Sequence, residues 1–253
     1  MVHLFLPKKV PVGFAHRGGT DVAPENTDGA FAHAVAIGYR YLELDVHLSR
    51  DDEVVVWHDE TLLRVAGIDR AVADLTWSEL SEIRIGNDHR LVRLSDLLET
   101  YPTARFNIDP KSDPVVDPLI GVLRRANALD RVCIGSFSDE RVARVKKALG
   151  AEVCTSPGPR ELVKTLLAAY LYPRYQPRHL TVQLPTRGYL VPLDRPGLIR
   201  RLQKLGLQVH YWTINTESEM VRLLDAGADA IMTDEVGLLK TVLESRGQWS
   251  SEI

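Results

Sequence analysis

Three carboxylates are spaced so that two consecutive predicted strands carry them to one place. Glu43 and Asp45 are two positions apart in an apolar run at 41–47, so their side chains point to the same side of the strand. Asp109 ends the next such run, at 104–109. Carboxylates that share an interior face repel each other and lose hydration, which is costly without a cation. The spacing therefore predicts a hard divalent cation at Glu43, Asp45 and Asp109, with internal ion pairs to Arg or Lys as the alternative.

Two histidines lie at the ends of other predicted strands. His16 ends the run at 12–16, and His58 follows a short run at 54–57. Imidazoles exchange protons near neutral pH, as a general acid and a general base must. We therefore take both as candidate catalytic groups, although each alone has an equally good structural explanation. His47 shares the face of Glu43 and Asp45 and is expected to support its neighbours rather than react.

Cationic groups suited to an anion accompany these residues. Arg17 follows His16, and its planar guanidinium matches phosphate oxygens. The next two residues, Gly18 and Gly19, would let backbone N–H groups come close to an anion. Lys111 is in phase with the strand-three carboxylate and supplies a second cation for phosphate.

Three residues on later predicted strands carry weaker signals. Gln183 is expected to line the pocket, and Trp212 is expected to form a wall for the substrate, with core packing as its alternative. Asp234 follows the last strand, where it either orients a ligand or caps the next helix; capping is the favoured interpretation.

A scaffold that gathers strand ends is needed to bring these residues together. Eight short apolar runs read as strands, each followed by a segment with helical spacing. These runs are 12–16, 41–47, 104–109, 131–136, 152–155, 179–184, 208–214 and 229–233. Alternation of this kind favours a parallel sheet, and eight units predict closure into a TIM-type (β/α)8 barrel with its catalytic groups at the C-terminal ends of the strands.

Local signals refine that barrel. A helix is predicted from Asn26 or Thr27 to a glycine cap at Gly38. Another is predicted after Thr216, with capping-box spacing to Glu219. The segment 51–100 interrupts the alternation of strands and helices. It is predicted to be a small insertion after strand 2, with a short strand at 54–57, a loop and a helix at 94–99.

Composition limits the class of ligand. The chain has 253 residues, close to the ~250 of one α/β barrel. Its 31 Lys and Arg against 34 Asp and Glu leave a formal charge of -3. No strongly basic field is available for nucleic acid, so an anionic substrate must be met by a few placed cations or a metal. Cys133 and Cys154 sit in apolar runs and are expected to be buried thiols.

The N-terminal residues lack the pattern of a signal peptide, because Lys8 and Lys9 follow the short apolar stretch instead of preceding it. No run approaches the ~18 apolar residues of a membrane span. A cytoplasmic protein without stable membrane insertion is expected, and its oligomeric state is left open.

The order and spacing of these residues resemble those of the glycerophosphodiester phosphodiesterase family. The similarity runs from residue 12 to residue 240 and predicts one such domain over residues 1–253. It rests on His16-Arg17-Gly18-Gly19, Pro24-Glu25-Asn26-Thr27, Glu43-x-Asp45-Val46, His58-Asp59, Asn107-Ile108-Asp109-Pro110-Lys111, Trp212-Thr213-Ile214-Asn215 and Thr233-Asp234.

The resemblance implies a (β/α)8 barrel that binds one Mg²⁺ or Ca²⁺ and hydrolyses a glycerophosphodiester to glycerol 3-phosphate and an alcohol. It implies acid and base roles for His16 and His58, and phosphate binding by Arg17 and Lys111. Glu43 and Asp45 fall on the family's metal ligands. Asp109 stands where the family usually has glutamate, and its side chain is shorter by roughly 1.5 Å.

Two other functions remain open. A tyrosine-rich apolar segment at 162–175 reads as one barrel helix and a loop, or as a lip that admits an acyl chain. In the second case the enzyme would be a lysophospholipase D that acts on lysophospholipids. A non-catalytic phosphate-binding barrel is the remaining alternative, and it would rest on a metal site weakened by Asp109.

Overall fold

The computed structural model describes residues 3–6, 11–86, 88–150, 153–172, 174–188 and 191–250. Over these ranges, eight parallel strands stand side by side in chain order, and the last pairs with the first. They are β1 Val12–Ala15, β2 Tyr41–Leu48, β3 Arg105–Pro110, β4 Val132–Ile134, β5 Cys154–Thr155, β6 Thr181–Leu184, β7 Gln208–Tyr211 and β8 Ala230–Thr233. The N–H of Leu180 donates to the carbonyl of Thr155 at 3.2 Å, which links β5 to the start of β6 and completes the ring.

One outer helix follows each barrel strand. They are α1 Asp28–Ala36, α2 Leu94–Thr100, α3 Val116–Arg125, α4 Asp139–Leu149, α5 Pro159–Leu171, α6 Pro196–Lys204, α7 Glu217–Ala226 and α8 Val236–Ser245. The predicted (β/α)8 barrel is confirmed. Of the predicted segments, Lys8, Lys9, Glu152 and Pro173 lie outside the described residues.

The ends of two helices can be compared with the capping residues predicted from the sequence. Thr27 is the N-cap of α1, where its Oγ1 accepts a hydrogen bond from the Ala30 N–H at 3.4 Å, and Gly38 takes a φ of 106° just after the end. Thr216 is the N-cap of α7, but its hydroxyl donates to the Glu219 carboxylate instead of accepting from the backbone. The predicted helix starts are confirmed, whereas the capping box of α7 is not formed, because Thr216 and Glu219 bond side chain to side chain and neither side chain accepts from the other residue's backbone N–H.

Strand β2 shows how the sequence separates core from site. Leu42, Leu44 and Val46 are fully buried in the layer between strands and helices, where each contributes about 1.5–3 kcal/mol of hydrophobic free energy. The alternate side chains point into the barrel, as the strand phase predicts. In the β2–β3 register Asp45 lies opposite Asp109, so the two carboxylates occupy one level of the barrel.

The N-terminal end of the barrel is filled with aromatic side chains. Phe5 is fully buried, with its ring centroid 6.2 Å from that of Phe14 and 5.7 Å from that of Tyr41. The Tyr41 hydroxyl donates to the Phe5 carbonyl at 3.1 Å. His210 is also buried here, 5.3 Å from the Phe14 ring. This packing closes the barrel at the end opposite the strand termini that carry the candidate residues.

The insertion between β2 and α2 is more structured than its sequence predicts. The predicted short strand is present at Val54–Val56, and it pairs antiparallel with β2. The predicted loop after it contains two short helices, Leu63–Ala66 and Trp77–Ser81. A hydrophobic cluster holds them together, made by Val55, Trp57, Leu62, Val72, Leu75, Leu80, Ile85 and Leu91. Apolar residues scattered over 37 positions form this core, which short-range periodicity does not detect.

Helix α5 corresponds to the tyrosine-rich segment, and its interpretation as a barrel helix is confirmed. Among the helices of the described ranges, none has the length and apolar content required to cross a membrane.

Candidate active site

A cavity of about 850 Å³ opens at the C-terminal ends of the barrel strands. Its lining brings together all nine residues predicted from the sequence: His16, Arg17, Glu43, Asp45, His58, Asp109, Lys111, Gln183 and Trp212. Because these residues come from β1, β2, β3, β6 and β7 and the insertion, only the closed barrel makes them neighbours.

His16 is held from behind by an acidic residue. Its Nδ1 lies 2.7 Å from Asp234 Oδ1, and its Nε2 lies 3.7 Å from Glu43 Oε2. The Nδ1–H therefore donates to Asp234, and Nε2 is left on the side of Glu43. Burial disfavours the charged ring, but the charges of Glu43 and Asp234 outweigh it and raise the pKa of His16. Asn215 fixes Asp234 in turn, because its Nδ2 donates to Asp234 Oδ2 at 2.7 Å.

The expected capping role of Asp234 is therefore wrong. The first N–H groups of α8, those of Val236 and Gly237, donate to the Asp21 carboxylate at 3.1 and 2.7 Å. Asp21 already supplies the negative charge favoured at a helix N-terminus, and Asp234 is left to bind His16.

Arg17 lies in a tight turn with a φ of 52°. Its backbone N–H donates to Glu43 Oε2 at 3.0 Å, and its Nη1 donates to Glu25 Oε1 at 2.8 Å. Its Nε is 3.2 Å from Asp45 Oδ2 but is not aligned for a hydrogen bond. The guanidinium thus faces the cavity between two carboxylates, which keep it charged.

The two glycines after Arg17 serve packing. Gly18 and Gly19 have φ values of 84° and 85°, and a Cβ at Gly18 would lie 2.8 Å from that of Ala30. A Cβ at Gly19 would lie 2.7 Å from Val236 Cγ1. The Gly19 N–H donates to the His16 carbonyl at 2.8 Å, so it does not serve an anion, in contrast to the expectation.

Lys111 connects the carboxylates of β2 and β3. Its Nζ lies 2.8 Å from Asp45 Oδ1 and 2.9 Å from Asp109 Oδ2. Burial disfavours ionisation of Asp45, but Lys111 and Arg17 hold its pKa below the ordinary value. The Asn26 side chain also donates to Asp45 Oδ2, at 3.0 Å. Asp45 is therefore charged, and each of its carboxylate oxygens accepts from one donor, Lys111 or Asn26.

Glu43 and Asp109 are less well compensated. Burial, and after it the charge of Asp45, raises the pKa of Glu43 to about 7. Burial also raises the pKa of Asp109, and its Oδ1 is buried with no hydrogen-bond partner among the described residues. The ionised forms of Glu43 and Asp109 are thus less well stabilised than that of Asp45.

His58 is oriented by a network that reaches across the cavity rim. Its Nδ1 lies 2.5 Å from Asp59 Oδ1, which places Nε2 on the opposite edge of the ring. Arg64 donates to Asp59 from Nε at 2.6 Å and to Glu25 from Nη2 at 2.6 Å. His47 supports the same loop, because its Nε2–H donates to the His58 carbonyl at 3.0 Å. That contact agrees with the supporting role expected for His47.

The far wall of the cavity contains few charges. Gln183 donates to Asn107 Oδ1 at 2.6 Å, so each fixes the other. Trp212 packs edge-on against Phe137, with ring centroids 5.7 Å apart. Beyond them the lining is apolar and comes mainly from α5 and the loop after β6: Leu162, Val163, Leu166, Pro185, Val191 and Leu193.

These contacts bear on the predicted divalent cation. In the described part of the chain, no three His, Cys, Asp or Glu side chains are spaced to hold a metal as they stand. Lys111 already lies between Asp45 and Asp109. The donor set nevertheless fits a hard cation, since Asp109 Oδ1 has no hydrogen-bond partner among the residues that the structure describes and burial raises the pKa of Glu43.

Sequence analysis did not identify the groups that orient the two histidines. Asp59 adjoins His58 in the chain, so its proximity was visible, but the Arg64 and Glu25 contacts span loops of irregular structure. The contact between His16 and Asp234 gives no local signal, because 218 positions separate the two residues.

Comparison with known proteins gives one consistent result. The model of the Glycerophosphoryl diester phosphodiesterase family matches residues 16–238. A Mycobacterium tuberculosis protein named Probable glycerophosphodiester phosphodiesterase 2 is 38% identical over 244 residues, which cover 94% of this chain and 92% of that protein. Human Lysophospholipase D GDPD1 is 29% identical over 278 residues, covering 95% and 87% respectively.

A similar fold occurs in the Oleispira antarctica phosphodiesterase solved in complex with the product sn-glycerol-3-phosphate. Its TM-score is 0.78 at 21% identity, and the match covers 93% of this chain and 97% of that one. At this identity the likeness is one of fold.

Proposed function

The chain belongs to the glycerophosphoryl diester phosphodiesterase family and is an enzyme of that class, and from this premise we propose how its residues divide the reaction. The proposed reaction is hydrolysis of a glycerophosphodiester to glycerol 3-phosphate and an alcohol. One observation carries it: His16 and His58 face one cavity, and a carboxylate holds the Nδ1 of each ring.

The two histidines would exchange the protons. A carboxylate on Nδ1 fixes the orientation of an imidazole and stabilises its charged form, so that Nε2 is the atom that accepts or donates. One ring would take the proton of the attacking group, either water or the 2-hydroxyl of the glycerol, and the other would protonate the oxygen of the departing alcohol. If the 2-hydroxyl attacks, a water molecule then opens the cyclic phosphate to give glycerol 3-phosphate. Asp234 and Asp59 would act as positioning residues behind His16 and His58.

Arg17 and Lys111 would bind the non-bridging phosphate oxygens. Burial disfavours the charge of Lys111, but Asp45 and Asp109 outweigh it and raise its pKa, so that Lys111 remains cationic in the cavity. Gln183 and Trp212 would contact the glycerol or the departing alcohol, because they lie on the cavity wall away from the carboxylates. The product bound to the Oleispira enzyme is of the same chemical class.

One Mg²⁺ or Ca²⁺ ion would be held by Glu43, Asp45 and Asp109, whose oxygens are the donors that such ions prefer. When bound, the ion would neutralise negative charge that develops on the phosphoryl group. The unpaired Oδ1 of Asp109 and the raised pKa of Glu43 support this assignment.

The test is release of glycerol 3-phosphate from glycerophosphocholine, before and after treatment with EDTA and after addition of Mg²⁺, Mn²⁺ or Ca²⁺. Loss of turnover with EDTA and its recovery with one of these ions is expected. Turnover that is indifferent to chelation would contradict the metal assignment, and absence of turnover under every condition would contradict the proposed substrate.

Lysophospholipids are a second candidate substrate, with lysophospholipase D as the activity. The apolar wall from Leu162 to Leu166 favours it, because a single acyl chain needs such a surface. The match to the human Lysophospholipase D GDPD1 also supports it. Turnover of lysophosphatidylcholine is to be compared with that of glycerophosphocholine, and a strong preference for the former would replace the first candidate.

A further inference from the structure

The outward face of α5 carries a row of apolar side chains exposed to solvent. Val163, Leu167, Tyr170 and Leu171 recur at helical spacing and are 54–64% exposed, and Tyr172 just after the helix is 65% exposed. We call these five residues the α5 stripe. Single exposed apolar residues are ordinary on a protein surface, whereas a contiguous row marks a surface that binds something.

The α5 stripe is continuous with the cavity. Val163 belongs to both, and Leu162 and Leu166 line the cavity from the adjacent face of the same helix. Val191, itself 57% exposed, and Leu193 line the cavity from the loop after β6. An apolar path therefore leads from the polar end of the cavity to the outer surface of α5.

The segment that carries this path is rich in positive charge. Residues 159–204 contain nine Lys and Arg against two Asp and Glu, a net of +7 in a chain whose total is -3. Both acids already have partners: Glu161 binds Lys164 at 2.6 Å, and Asp194 binds Arg222 at 2.7 Å. The Arg201 guanidinium lies 4.8 Å above the Tyr170 ring, so one of these cations is fixed beside the α5 stripe.

We propose that the α5 stripe docks this protein reversibly on the surface of a bilayer that contains anionic lipids. Leucine and tyrosine side chains enter the headgroup region, and flanking cations are attracted to anionic lipids. A second copy of the chain fits the same surface poorly, because two segments of charge +7 would face each other.

The docking does not depend on catalysis, but together with the proposed function it has a consequence for the substrate. The cavity mouth would lie at the bilayer surface, so a phosphodiester with one acyl chain would enter along the apolar path without leaving the membrane for water. The proposal thereby gives the lysophospholipid candidate a route to the site.

Sedimentation with vesicles tests the docking. The full chain is mixed with vesicles of phosphatidylcholine and phosphatidylglycerol, or of phosphatidylcholine alone. Binding to the anionic vesicles that weakens at about 0.5 M NaCl is expected, because salt screens the cationic attraction. The double variant Leu167→Glu, Leu171→Glu should bind them about tenfold or more weakly, since both positions would place a charge in the interface.

Leu63→Glu is the matched control, because Leu63 is 52% exposed on the insertion, outside the α5 stripe. It should bind vesicles as the parent protein does. Failure of the parent protein to bind anionic vesicles at low salt, or undiminished binding by the double variant, would overturn the proposal. So would a dimer that the double variant converts to a monomer while vesicle binding is unchanged.

Turnover of glycerophosphocholine in solution separates this proposal from the proposed function. Leu167 and Leu171 do not line the cavity, so the double variant should keep parental turnover of this water-soluble substrate. Vesicle binding without any turnover would refute the proposed function and leave the docking intact.

Discussion

His16 donates a hydrogen bond from Nδ1 to Asp234 Oδ1 at 2.7 Å, although the two residues stand 218 positions apart in the chain. The pairing of β1 with β8 makes the contact possible, since Ala15 lies opposite Thr233 in their register. The strand pairing that closes the barrel therefore also brings Asp234 to His16 and orients this candidate catalytic ring. Asp59 makes the corresponding contact with His58 from within the insertion.

Replacement of Asp234 by asparagine should lower kcat by roughly 10²–10⁴. An amide can present its own N–H to Nδ1 and so favour the wrong tautomer of His16, while the size of the side chain is unchanged. Steady-state kinetics and the pH dependence of kcat measure the effect. Asp225→Asn, which changes only an exposed ion pair with Arg246, is the control. A variant with parental kcat and an unaltered pH profile would remove the positioning role.

Replacement of either His16 or His58 by alanine should also lower kcat, by roughly 10²–10⁴, with little effect on folding. Each ring supplies a proton-transfer group that the truncated side chain cannot replace. Turnover of glycerophosphocholine and thermal unfolding are to be measured on both variants. His33→Ala, on α1 outside the cavity, should retain activity. Near-parental turnover in either site variant would show that its assigned role is incorrect.

Asp109→Glu should lower the concentration of divalent cation that gives half-maximal activity. The added methylene extends the carboxylate by roughly 1.5 Å, and the buried Oδ1 of Asp109 has no partner among the described residues to lose. Titration of activity with Mg²⁺ after chelation measures the shift. Asp225→Glu serves as the surface control. If the Mg²⁺ concentration for half-maximal activity is unchanged or higher in Asp109→Glu, Asp109 is not a ligand whose short side chain limits metal binding.

The stability that two buried histidines, His210 and His179, contribute should be lost as the pH is lowered below the ordinary histidine pKa of 6.5. Burial lowers the pKa of His210 to about 3 and that of His179 to about 4, so the unfolded chain takes up protons first. Stability from these groups is complete above pH 6.5 and is lost as the pH falls toward the folded values. For His210 the loss is about 2 kcal/mol by pH 5.

Urea unfolding at neutral pH and at pH 5 measures this dependence. The change in the free energy of unfolding from neutral pH to pH 5 should be less unfavourable in His210→Asn than in the parent protein, because the asparagine does not titrate while the other groups, such as Glu43, titrate alike in both proteins. His33→Asn, outside the barrel interior, should leave the slope as it is. If the free energy of unfolding of the His210 variant depends on pH as that of the parent protein does, the buried His210 ring does not contribute to the pH dependence.

The parts of the site that follow a strand were predictable from the sequence, and the parts that follow a tertiary contact were not. Alternation along β2 placed Glu43 and Asp45 inside the barrel, because side-chain direction on a strand is fixed by position alone. Lys111 followed from the same rule. The link from Asp234 to His16 depends on β1–β8 pairing, which no local pattern specifies.

The same limit applies to the fold. Eight strands and their order were visible as apolar runs and helical segments, because each repeats a short period. The insertion was predicted as mostly loop because Trp57, Leu80 and Leu91 show no common period, and their cluster exists only once the chain has folded back. The position of Asp234 just before α8 predicts a cap, whereas Asp21, the residue that binds the α8 N-terminus, lies at the other end of the chain.

The aromatic packing around Phe5 determines by which end of the barrel substrate enters and product leaves. Phe5, Phe14 and Tyr41 stop the barrel at one end, so whatever reaches His16 comes and goes by the opposite mouth. Substrate and product therefore use the same opening, and only one of them occupies the site at a time. Glycerol 3-phosphate that has not yet departed keeps the next diester outside, and its inhibition is expected to be competitive.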